Sequence, residues 1–109
     1  MAKVIWSNKA IAEFAAIFRF TEERSPASAA HLEERIRAAT LQLEAFPESG
    51  RPSRRYGEAR REIVVRPYLL VYYTEHESVF IVAITHGARD EDTPEEVHER
   101  PAEYRATRF

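Results

Sequence analysis

Apolar residues along this chain recur at two different periods, and the change from one to the other divides it in two. After a short β-prone run, "KVIW" (Lys3 to Trp6), come Ser7 and Asn8, either of which can cap a helix. Ile11, Phe14, Ala15 and Phe18 then return at three- and four-residue spacing, which predicts one face of a helix ending near Arg24. "SPAS" restarts the chain, with Ser25 as N-cap and Pro26 at the first helical position, where its missing N–H is harmless. Ala29, Leu32, Ile36, Ala39, Leu43 and Phe46 carry the second helix, and Pro47 and Gly50 end it. Two helices of roughly 17–21 residues joined by so short a turn form an antiparallel hairpin.

Beyond Gly50 the period becomes that of strands. "REIVV", "LLVYY" and "VFIVAIT" are β-branched and aromatic runs separated by "RPY" and "EHES", as consecutive antiparallel strands would be. The order β-α-α-β-β-β predicts an α+β domain, with the N-terminal strand and helical hairpin packed on a small antiparallel sheet. The last strand is apolar on both faces. Simple alternation sends Phe80, Val82 and Ile84 one way and Val79, Ile81 and Ala83 the other. A sheet with one helical layer needs only one apolar face, so the second calls for a cover: the tail, another protomer or a partner chain.

Charge changes the picture. The 109 residues sum to −2, yet Asp90 to Phe109 hold seven acids and three arginines, a balance of −4 that leaves +2 for residues 1–89. A mildly basic body therefore carries an acidic tail. Five arginines, Arg51, Arg54, Arg55, Arg60 and Arg61, crowd the stretch "GRPSRRYGEARRE". Guanidinium forks suit phosphate and carboxylate alike, so this is either an anion-facing surface or a solvated loop.

Composition narrows the chemistry. There is no cysteine, which removes disulfides and thiolate metal sites and suits a reducing cytoplasm. The start has no apolar region of signal-peptide length, and "VFIVAI" is too short to cross a bilayer. His31, His76, His86 and His98 lack ligand spacing, three glycines cannot build a phosphate loop, and no serine sits in a glycine-flanked elbow. No metal or cofactor is expected. "ITHGARD" places His86 and Arg89 near a strand exit. They read as a general base and a phosphate clamp, or as a packed histidine and an arginine paired with Asp90.

Taken in order, "VIWSNKAIAEFAAI", "SPASAAHLEERI", "FPESGRP", "REIVVRPYLLVYY" and "VAITHGARD" resemble the RelE/ParE toxins of bacterial type II toxin–antitoxin modules, over residues 4–90. The resemblance implies a toxin domain at 1–90, an acidic tail at 91–109, and a cognate antitoxin whose acidic, amphipathic C-terminal segment neutralises the toxin in a hetero-oligomer. It assigns Arg51, Arg54, Arg55, Arg60, Arg61, Arg66 and Tyr72 to antitoxin or target contact. RelE-like members cut mRNA on the ribosome, whereas ParE-like members poison DNA gyrase. Nuclease members tend to carry an arginine where this chain has Leu69, and lysines where it has Glu62 and Val64. Losing such a cation removes several kcal/mol of transition-state stabilisation, which favours the gyrase-binding branch. His86 and Arg89 would be catalytic only in a nuclease. A third reading is an inactive member that only forms a complex. The tail beyond Asp90 is not part of the resemblance.

Overall fold

The computed structural model describes residues 1–53, 56–57 and 59–87, together with the backbone of 104–106. Strand β1 (Lys3–Ser7) leads directly into helix α1 (Asn8–Arg24). Ser7 makes that junction: its Oγ accepts from the Ala10 amide at 3.0 Å as N-cap and donates to the Val82 carbonyl at 3.3 Å. Ser25 is both the C-cap of α1 and the N-cap of α2 (Pro26–Ala45). Its amide donates to the Thr21 carbonyl at 2.8 Å, and its hydroxyl accepts from the Ser28 amide at 3.2 Å. One residue in extended conformation thus reverses the chain, and Pro26 sets the first helical φ.

Strands β2 (Arg51–Pro52), β3 (Arg61–Val65), β4 (Tyr68–Glu75), β5 (Ser78–His86) and β6 (Tyr104–Ala106) complete a six-stranded sheet of order β2-β3-β4-β5-β1-β6. The α+β class and the expected element order hold, but the sheet is mixed rather than wholly antiparallel. β1 lies parallel to β5, with Val4 opposite Val79 and Trp6 opposite Ile81. The helical hairpin between β1 and the β2–β5 strands supplies the long crossover that a parallel pair requires. Two short strands escape the hydrophobic pattern: β2 is an Arg–Pro pair inside the arginine stretch, and β6 lies within the acidic tail, antiparallel to β1.

A bulge also corrects the expected alternation of β5. Val71 pairs with Ala83 and Tyr72 with Ile81, so Val82 is an extra residue on the longer strand. Such an insertion reverses the side-chain parity beyond it. Ile84 therefore joins Val79 and Ile81 beneath the helices, while Ala83 joins Val82 on the opposite face. β1 ends before β5 does, and side chains take over its hydrogen bonding. Ser7 serves the Val82 carbonyl, and Glu13 Oε1 accepts from the Ile84 amide at 3.0 Å.

The main core lies between helices and sheet. Trp6, Ile36, Leu43, Leu70, Tyr72, Val79 and Ile81 are fully buried there, with Phe14, Leu32 and Val65 beside them and Phe18 and Ile63 at the margin. On the second face, Val71, Val82 and Ala83 are buried together with Tyr56, a residue of the arginine stretch. The chain's own loop is thus one cover for that face, in addition to those the sequence suggested.

Truncating Ile36, which has no exposure at all, leaves a cavity; Ile36→Ala is expected to cost about 2–5 kcal/mol in urea unfolding. Ser7→Ala removes a cap and leaves a buried carbonyl without its side-chain partner, a loss of about 1–2 kcal/mol in the same measurement.

Candidate functional site

The arginine stretch begins at a glycine with no room for a side chain. A Cβ on Gly50 would lie 2.6 Å from the Tyr72 hydroxyl and 2.8 Å from the Glu62 carbonyl oxygen. The Gly50 amide donates to Tyr72 Oη at 2.9 Å, and Arg61 Nη1 donates to the Gly50 carbonyl at 2.8 Å and to the Glu48 carbonyl at 3.3 Å. Both backbone polar groups of Gly50 are therefore fixed. Tyr72 faces the helix-side core and has no exposure, so it shapes the site from beneath rather than offering a contact surface. Burial pushes its phenol above the ordinary value of 10.0, with smaller opposing pulls from the Gly50 amide and Arg61 and a small push from Glu48.

From Gly50 the chain enters β2 against β3. Arg51 crosses to Glu62, placing Nη2 at 2.7 Å and Nε at 2.8 Å from the same carboxylate oxygen. The Glu62 side chain is only 9% exposed and that of Arg51 is 61% exposed. A buried carboxylate without a cation would be strongly unfavourable, so Arg51 is committed to Glu62 while keeping its outer edge to solvent. Ser53 and Arg60 then close the loop, the Ser53 amide donating to the Arg60 carbonyl at 2.8 Å. Within it, Gly57 takes a φ of +97°, a conformation that other residues rarely adopt. The Tyr56 amide donates to Ser53 Oγ at 3.2 Å, and the Tyr56 side chain turns onto the second sheet face.

Arg60 lies over the Tyr73 ring, its guanidinium carbon 4.5 Å from the centroid, and Tyr73 stacks on Phe80 at 5.1 Å. The buried Arg60 Nε makes no hydrogen bond among the described residues. Arg51, Arg60 and Arg61 are thus gathered at one margin of the sheet. Each already has an internal partner: a carboxylate, an aromatic face and two carbonyls. Arg54 and Arg55 lie outside the described residues.

Arg66 and His86 occupy a different place. Arg66 is exposed at the turn between β3 and β4, where the Arg66–Pro67 peptide is cis. His86, also exposed, ends β5 opposite Tyr68, with the two rings edge-on at 5.7 Å. The Gly87 amide donates to the Pro67 carbonyl at 2.8 Å and ties the end of β5 to that turn. The five residues of β3, about 16 Å at strand rise, separate this end from the Arg61 end. Arg89 lies outside the described residues.

Several residues that shape the site were not singled out in the sequence. By residue type Glu62 marks only the absence of a lysine, yet it is the counter-ion of Arg51. In the sequence Gly50 reads as a helix stop, but its contacts make it the anchor of the loop. An acid eleven residues from an arginine across a turn is a faint signal, visible only once β2 and β3 are paired. Leu69 and Val64 share the second face with Glu62. Leu69 is buried and Val64 is 46% exposed, so three successive positions on that face carry no cation. Among the described residues no three His, Asp or Glu side chains converge as a metal site, and no helix is long and apolar enough to cross a membrane.

Residues 4–91 match the sequence model of a family described as the ParE toxin of type II toxin–antitoxin system, parDE. Toxin RelE2 of Caulobacter vibrioides is 36% identical over 89 residues, covering 82% of this chain and 99% of that protein. The solved chromosomal ParDE TA system from P. aeruginosa contains a chain of similar fold. Its TM-score is 0.67 at 22% identity, with 79% of this chain and 96% of that chain covered.

Tyr72→Phe leaves the Gly50 amide without its acceptor, and we expect a loss of about 1–3 kcal/mol in chemical denaturation. The folded state holds the phenolic proton more tightly than the unfolded chain does. Stability is therefore complete below the unfolded value of 10.0 and declines as pH rises through and beyond it. The Tyr72→Phe variant should lose this alkaline decline, as followed by thermal unfolding between pH 8 and about pH 11.

Proposed function

The chain belongs to the family of ParE toxins of type II toxin–antitoxin systems, and from that premise we propose that it arrests growth by binding DNA gyrase. A cognate antitoxin with an acidic, amphipathic C-terminal segment would hold it inactive in a hetero-oligomer in the cytoplasm, and the pair would stabilise the replicon that carries it. In this reading residues 1–90 form the toxin domain and 91–109 an appended acidic tail. The family match ends at residue 91, and nearly all of the Caulobacter relative aligns within 82% of this chain, which supports that division.

The observation that carries the proposal is the second sheet face. At Glu62, Val64 and Leu69 it offers a carboxylate already bound to Arg51 and two aliphatic side chains. Cleaving RNA through a ribose 2′-hydroxyl builds negative charge on the phosphate, and cations placed around it are what lower the barrier. A face without them at these positions suits binding better than catalysis. Arg51, Arg60, Arg61 and Arg66, with Arg54 and Arg55, are the residues we assign to antitoxin or target contact. Tyr72 serves that surface through Gly50.

A second reading, ribosome-dependent mRNA cleavage, draws on the relative named Toxin RelE2. It would use His86 as proton shuttle and Arg89 as phosphate clamp, and losing either would then lower the rate about 10²–10³-fold.

Expression of the toxin alone should arrest growth, and co-expression of the antitoxin should restore it; normal growth with folded toxin would favour an inactive, complex-forming member. Purified toxin is expected to inhibit supercoiling by gyrase and to leave message intact on translating ribosomes. His86→Ala and Arg89→Ala should then alter toxicity only through affinity. Message cut in the ribosomal A site, with gyrase unaffected, would establish the second reading instead.

A further inference from the structure

An open sheet has two edges, and this chain treats them differently. At one end lies β2, whose two residues, Arg51 and Pro52, are both exposed. Its shortness, its charge and a proline that cannot donate leave little for another strand to pair with. Toward the opposite end lies β1, five residues long and without proline, with Val4, Ile5 and Trp6 in succession. The Lys3 amide donates to the Glu77 carbonyl at 3.2 Å, so Lys3 turns its backbone groups toward β5. Successive residues alternate between the two sides of a strand, which aims the N–H and C=O of Val4 and Trp6 outward. A bare β1 would be an unblunted apolar edge, the kind that recruits strands from other chains.

The chain closes that edge with its own residues. β6 runs antiparallel to β1, setting Tyr104 opposite Ser7, Arg105 opposite Trp6 and Ala106 opposite Ile5. Because Trp6 turns its backbone outward, Trp6 and Arg105 are the pair that exchanges hydrogen bonds in this short ladder. The new outer strand has three residues with an arginine at its centre, so a blunt edge replaces an apolar one. β6 also lies beyond residue 91, where the family match ends. It is an addition to the shared domain.

We propose that β6 is a built-in edge guard, which keeps β1 from pairing with β1 of a second copy of this chain. The pairing it prevents is self-complementary. A two-fold axis at Ile5 sets Val4 of each copy opposite Trp6 of the other, so the outward N–H and C=O groups meet in register. Ile5 then faces its own counterpart, an apolar pair where β6 now places Ala106. Tethering favours β6 in this competition, since it gives the strand an effective concentration that separate molecules reach only near the millimolar range. The inference concerns the isolated chain and draws on neither the gyrase nor the ribosome reading.

Sedimentation equilibrium of the full chain tests the proposal, with Arg105→Pro as the main variant. Proline has no N–H to give the Trp6 carbonyl and does not fit a ladder, so β6 should leave the edge. Wild type should remain a monomer at micromolar to submillimolar concentration, whereas Arg105→Pro should move toward twice the chain mass as concentration rises. Arg105→Gly weakens the strand without removing the N–H and should move the mass the same way to a smaller extent. Ile5→Lys added to Arg105→Pro sets like charges opposite each other and should return the monomer. Ala102→Pro, in the tail but outside β6, should stay monomeric. Hydrogen exchange gives an independent reading. At dilutions where Arg105→Pro is monomeric, its Trp6 amide should exchange at least about tenfold faster than in wild type, while those of Leu70 and Val71 stay protected. A dimeric wild type, or Arg105 variants that stay monomeric throughout, would overturn the proposal. So would association that Ile5→Lys leaves intact, because it would run through another surface.

Discussion

The backbone of Gly50 is held from two sides, and the arrangement of the arginine segment follows from it. Tyr72 Oη takes its N–H from the core, Arg61 takes its C=O from the margin of the sheet, and the space where a Cβ would sit is filled. The chain therefore leaves the helical hairpin in one direction, into β2, and the two-residue pairing with β3 sets Arg51 opposite Glu62. A residue larger than glycine would have to displace either a buried tyrosine or the β3 backbone, and neither can move without disturbing the core.

That geometry decides what becomes of the positive charge. A run of arginines in a polar loop suggests a surface open to any anion. Here Arg61 closes the loop base, Arg60 lies on Tyr73 and Arg51 neutralises a nearly buried carboxylate. Exposed ion pairs contribute little to stability, but Glu62 is shielded from water, and removing its partner would strand a charge. These arginines consequently present their remaining donor edges in fixed positions, which suits recognition of a specific partner more than diffuse attraction. Arg35 and Arg66, far from the segment that first draws attention, line a hollow between α2 and the β3–β4 turn.

Much of the fold was legible because it follows from periodicity. The caps at Ser7 and Ser25, both helices and the three long strands are where apolar spacing and turn residues place them. What escaped has identifiable physical causes. The parallel entry of β1 leaves no mark on β1 itself, since its three apolar residues pair equally well in either direction. The β5 bulge depends on a single extra residue, Val82, within a run where every residue is apolar, so the parity change has no polar marker. β2 is an Arg–Pro pair that only a partner strand makes visible. Of the candidate site, the arginine cluster and His86 could be read from residue type, but the burial of Tyr72 and the pairing of Glu62 are tertiary facts. The hollow beside α2 draws Arg66 to His31 and Arg35 across more than thirty residues of sequence, a distance that no local motif spans.

Amide hydrogen exchange at Gly50 tests this account most directly. If Tyr72 and Arg61 lock that peptide, its amide should be protected to nearly the same degree as those of Leu70 and Val71 in the central strand, and should open only with the core. Exchange at the rate of an unstructured loop, while Leu70 and Val71 remain protected, would mean that the arginine segment is not anchored and that its internal pairings do not define the surface.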